Sequence, residues 1–146
     1  MIFRVLQDVK KLLSSPERWT RGTLARNRKG KTNWQNSNAE SFCMTGAVNR
    51  IIYDLAIDNK AKVWTDTMAA LFDAITADAK EPLYIQRKGG QAMTLYRMIA
   101  RFNDKSTYND IIRILDKAIE SEEQKFFKTL RMQEKGIGPL PKDLHP

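Results

Sequence analysis

Cysteine and histidine are almost absent from this chain: Cys43 and His145 are the single occurrences in 146 residues. One cysteine excludes an internal disulfide. A lone histidine beside the last residue leaves no metal-ligand cluster of the usual spacing, so neither metal nor cofactor is expected. Long apolar runs are missing as well, and nothing approaches the ~18 consecutive apolar residues of a membrane-crossing helix. The opening stretch "MIFRVLQDVKKLL" lacks the continuous apolar core and small-residue cleavage site of a secretory signal. A cytoplasmic protein with no membrane partner is the expectation. Walker spacing is absent too: "RKGGQA" sets Arg87 and Lys88 before a glycine pair, at most an anion-binding turn ahead of a helix.

The last thing lacking is acid in one place. Between Trp19 and Trp34 the stretch "WTRGTLARNRKGKTNW" holds Arg21, Arg26, Arg28, Lys29 and Lys31 and no Asp or Glu. Residues 1–36 carry nine Lys/Arg against Asp8 and Glu17, whereas the other 110 residues carry 16 against 15. The formal charge of +8 is therefore local, and a local field can steer an anionic partner.

What is present is helical periodicity. Ile2, Val5, Leu6, Val9 and Leu12 predict an amphipathic helix over 2–14, stopped by Ser14-Ser15-Pro16. "SNAE" at Ser37–Glu40 reads as a capping box, starting a second helix that carries Phe42, Val48, Ile51, Ile52 and Leu55. A third helix is predicted over 61–77 with Trp64 in its buried stripe, then a turn-rich loop around Pro82 and Gly89-Gly90. A fourth runs from Gln91 to Phe102, broken by Asn103-Asp104, and a fifth, the longest, follows a Thr107/Asp110 capping box to about Gln133. No strand is convincing. The expected fold is all-α: a single-domain irregular bundle of about five helices over residues 1–135, with a Pro/Gly-rich tail or extended arm over 136–146.

Three stretches stand out together: "WTRGTLA" from Trp19, "FCMTGA" from Phe42 and "RFNDKST" from Arg101. They resemble a domain-of-unknown-function family of small helical proteins from bacteria and their phages, with the patterns W-x-x-G-x-[LA]-A, [WF]-C-x-x-G-A and [WF]-N-D. The resemblance spans residues 12 to 119. It implies a helical fold and a phage or mobile-element origin, hence residence in a host cytoplasm, and no activity.

Three functions remain open on the residues alone. Arg21, Arg26, Arg28, Lys29 and Lys31 could neutralise phosphates while Trp19 and Trp34 stack on bases, making a non-enzymatic module for nucleic acid or a nucleotide. The same segment could grip an acidic host protein. Cys43 could serve as a nucleophile, although no base lies near it in sequence and a small buried side chain explains it as well. Asn103, Asp104, Arg87 and Lys88 are secondary candidates, and a solvated loop anchored by two core tryptophans is the plain alternative. Oligomeric state is not readable from these features.

Overall fold

In the computed structural model, which describes residues 1–78 and 91–136, the predicted bundle is present. Among these residues five helices form: α1 (Ile2–Leu12), α2 (Met44–Asp54), α3 (Lys60–Asp78), α4 (Gln91–Lys105) and α5 (Tyr108–Glu134). Arg87, Lys88 and nearly all of the tail lie outside the described residues.

Each helix exists because its apolar stripe has a neighbour to cover it. Leu6 and Val9 of α1 are fully buried where α1 crosses α2 and α5; Met68 and Leu71 of α3 meet Ile111, Ile114 and Leu115 of α5 in the same core. Lys10 and Lys11 sit in the last turn of α1, where cations favour the negative end of the helix dipole. The Tyr108 hydroxyl donates to the Leu13 carbonyl just beyond it, tying the end of α1 to the start of α5. The Thr107 capping box is present as predicted: its hydroxyl accepts from the Asp110 N–H, and the Asp110 carboxylate accepts from the Thr107 N–H at 2.9 Å. Farther along, Asp78 at the end of α3 takes hydrogen bonds from Arg113 and Lys117 of α5, which hold its carboxyl down at about 2.

Three expectations are corrected. The second helix does not start at Ser37. Asn33 and Asn36 fold the chain into successive turns, their side-chain oxygens accepting from the N–H groups of Gln35 and Asn38, and this local bonding outcompetes a helix. α2 begins instead at Met44, with Cys43 as its cap: the Cys43 sulfur accepts from the Gly46 N–H at 3.3 Å. Sulfur is a weak acceptor, so nothing in the sequence announces it. Asn103-Asp104 do not break the fourth helix, which runs on through both of them to Lys105.

The third correction is a small antiparallel sheet, ordered β2-β1-β3, from β1 (Ala25–Asn27), β2 (Gly30–Lys31) and β3 (Ser41–Phe42). Its pairs are Arg26 with Lys31 and Asn27 with Gly30 on one side, Ala25 with Phe42 and Arg26 with Ser41 on the other. Strands of two or three residues show no alternation that periodicity can detect. They are specified by what they rest on: Ala25 is fully buried and Phe42 is 4% exposed, both in the helical core.

Candidate functional site

The basic segment enters the fold through a buried amide. Asn103, 1% exposed near the end of α4, accepts from the Trp19 indole N–H at 2.8 Å and from the Met44 N–H at 3.0 Å. Its own side-chain N–H groups donate to the Thr20 carbonyl at 3.0 Å and to the Asp104 carboxylate at 3.2 Å. A further tie comes from Asp104, which accepts from the Gly22 N–H at 2.9 Å. Gly22 has φ +76°, a left-handed conformation that a side chain would strain.

The "FCMTGA" stretch closes the same knot. The Thr20 N–H donates to the Phe42 carbonyl and the Cys43 N–H to the Leu24 carbonyl. A β-carbon on Gly46 would collide with the Leu24 carbonyl oxygen, so the backbone of residue 24 crosses α2 at a point only glycine admits. All three stretches that carry the family resemblance thus converge on one hydrogen-bonded hub. Cys43 is 5% exposed within it. Burial pushes its thiol up, with the Asp104 charge adding to that, against hydrogen bonds from the Gly46 and Thr45 N–H groups that pull it down. Burial and a raised pKa both oppose thiolate chemistry.

The predicted basic residues separate into two groups around this hub. Arg21 lies over the Trp19 ring, its guanidinium carbon 4.8 Å from the centroid, and donates to the Ser106 carbonyl. Arg21 itself is exposed, whereas Arg26 is half-buried and donates to the Thr20 hydroxyl at 2.8 Å and to the Arg21 carbonyl at 3.1 Å. These two cations brace the chain. Arg28, Lys29 and Lys31 instead project from the β1–β2 hairpin, whose tight turn is set by the Asn27 side chain accepting from the Lys29 N–H and by Gly30 at φ +116°. The Arg28 side chain is 92% exposed and only loosely paired with Glu40 at 3.6 Å. Lys29 and Lys31 are exposed, and their ammonium groups meet no acceptor among the described residues.

Trp34 is part of neither group. Its ring stands edge-on to Tyr53 of α2 at 5.6 Å, while the Arg50 guanidinium holds the carbonyls of Trp34, Gln35 and Asn36. Beside it opens an apolar cleft of about 490 Å³ whose walls include Tyr53, Trp64 and Tyr96, with Lys60 among them. The indole N–H of Trp64 donates to Asn49 at 2.7 Å, fixing that ring. Sequence reasoning missed Tyr53, Lys60 and Tyr96, because residues on three different helices show no common spacing; Trp64 packs part-buried against the core as expected and also borders the cleft. A larger cavity of about 730 Å³ lies between α1 and α5, where Lys10 and Asp116 neutralise each other at 2.6 Å.

Among the described residues no helix is long and apolar enough to cross a membrane, and no cluster of three metal-ligating side chains forms. Residues 2–121 match a family of unknown function (DUF6197). No curated protein and no solved structure matches the chain.

Proposed function

We propose a function for a chain that belongs to the family of unknown function DUF6197: a binding module that holds nucleic acid by the cationic β1–β2 hairpin. The observation that carries the reading is the division of the basic segment. Arg21 and Arg26 are engaged within the fold, whereas Arg28, Lys29 and Lys31 stand out in solvent on a turn that Asn27 and Gly30 make rigid. Among the described residues Lys29 and Lys31 have no acceptor and Arg28 only a loose pairing with Glu40, which leaves their field for a phosphate, and a pre-formed turn loses little freedom on binding. A phage-encoded chain would meet acidic host proteins through the same hairpin, and that is the competing occupant.

Salt separates the two. With about three phosphates neutralised, affinity for a short DNA should fall with a log-log slope near −2 to −3. Replacing Arg28, Lys29 and Lys31 together by alanine should flatten that slope by about one unit for each phosphate no longer neutralised. Binding that ignores salt, or that survives the triple substitution with its slope intact, would overturn the reading. Failure of random DNA and RNA to bind at physiological salt would move the hairpin's partner to protein.

A further inference from the structure

We infer that the cleft beside Trp34 receives one unpaired base of a single strand, with Lys60 placed for the phosphate that base carries. The inference rests on the nucleic-acid reading and gives it a second contact point. Its starting observation is composition: Trp34, Tyr53, Trp64 and Tyr96 supply four aromatic rings to one cleft of about 490 Å³, a volume within the range of small-molecule sites. Aromatic residues in a core close over one another. Here Tyr53 is 50% exposed, with Trp34 edge-on to its ring and the Lys60 ammonium over it.

The rings are also held in place, as a stacking platform requires. Asn49 fixes the Trp64 indole, Arg50 clamps the chain at Trp34, and the perpendicular Trp34–Tyr53 pair locks two ring planes relative to each other. Every base has a π-face, so such a surface accepts unpaired bases without reading their edges. A duplex cannot offer one without unstacking.

Charge selects among flat ligands. An aromatic cage for a quaternary ammonium would be spoiled by a cation in its wall, yet Lys60 is the charged residue lining this cleft, and no carboxylate among the described residues lines it. The Lys60 ammonium donates to the Tyr53 carbonyl at 2.8 Å and lies 5.7 Å from the Tyr53 ring centre, which fixes it at the rim. A cation beside stacked rings suits a base followed by its phosphate. The favoured occupant is therefore a nucleotide of a flexible strand rather than a neutral sugar or a cation.

The chain has three tryptophans, and their indole N–H signals test this on the intact protein. Titrating a ten-residue oligothymidylate into nitrogen-15-labelled protein should shift the Trp34 and Trp64 indole signals and leave that of Trp19, bonded to Asn103, in place. A decamer of abasic sugar-phosphate should bind through the hairpin without moving either indole. Tyr53→Ala should weaken the thymidylate decamer about tenfold and leave the matching duplex unchanged, while Tyr53→Phe retains wild-type affinity. Circular dichroism melting of each variant reports that the fold is intact. Thymidylate binding with no shift at Trp34 or Trp64, or equal losses for strand and duplex in Tyr53→Ala, would overturn the cleft assignment while the hairpin reading stood. A mononucleotide that saturates the same two indoles at the decamer's concentration would also overturn it, in favour of a free-nucleotide pocket. Indole shifts that persist in the hairpin triple variant with unchanged affinity and salt slope would support the cleft and remove the hairpin.

Discussion

Trp19 and Trp34 bracket one basic segment in the sequence and both pack part-buried against the core, yet their rings meet different partners. Trp19 gives its indole N–H to the buried Asn103, and its ring carries the Arg21 guanidinium. Trp34 borders an open cleft, its part-buried ring packed against the core and edge-on to Tyr53, while its backbone carbonyl accepts from Arg50. Symmetry in sequence did not become symmetry in space. The contrast shows that a charge-rich segment can divide its labour: the Trp19 end locks the fold, while the hairpin and the Trp34 cleft stay open to solvent.

The largest effects should come from the locked end. Asn103→Ala removes a side chain with four hydrogen bonds, and leaves the Trp19 indole N–H and the Met44 N–H without their acceptor; a loss of about 4 kcal/mol is expected in urea unfolding. Asn103→Asp keeps an acceptor for both N–H groups but removes the donor to Thr20 and sets a second carboxylate beside Asp104, so it should not restore stability. Gly46→Ala drives a β-carbon against the Leu24 carbonyl and should cost about 3 kcal/mol. A loss under about 0.5 kcal/mol in either variant would show that the hub is not what holds the segment to the helices.

Cys43 gives an intermediate test of the same region. Cys43→Ala deletes the sulfur that caps α2 and should destabilise by about 1 kcal/mol. Thiol labelling of the native wild-type protein at neutral pH should be slow, since burial both covers the sulfur and disfavours its thiolate. Rapid labelling of the native state would make Cys43 a reactive group again. The smallest effect belongs to the exposed end: alanine at Arg28, Lys29 and Lys31 together should change stability by no more than about 0.5 kcal/mol while flattening the salt dependence of binding by about one unit for each phosphate lost. A large loss of stability there would erase the division between the two ends.

The sequence by itself determined the helices, because burial at three- and four-residue steps is a local property of the chain. Leu6, Val9, Met68, Leu71, Ile111 and Leu115 were legible as core, and the Thr107/Asp110 cap marked the start of α5, since both its partners lie within one turn. It also located the charge excess at Arg21 to Lys31. Only tertiary structure decided which of those cations bind inward: Arg21 finds the Ser106 carbonyl 85 positions away, and Trp19 finds Asn103 at a separation of 84. The strands at Ala25–Asn27 and Ser41–Phe42, the start of α2 at a sulfur cap, and the four rings around Lys60 were equally out of reach. The strands and the four rings depend on groups from distant segments meeting across the core, whereas the sulfur cap lies within one turn but is too weak an acceptor to mark a helix start. No periodicity records such a meeting, because the free energy that selects it appears only when the separate helices have already packed.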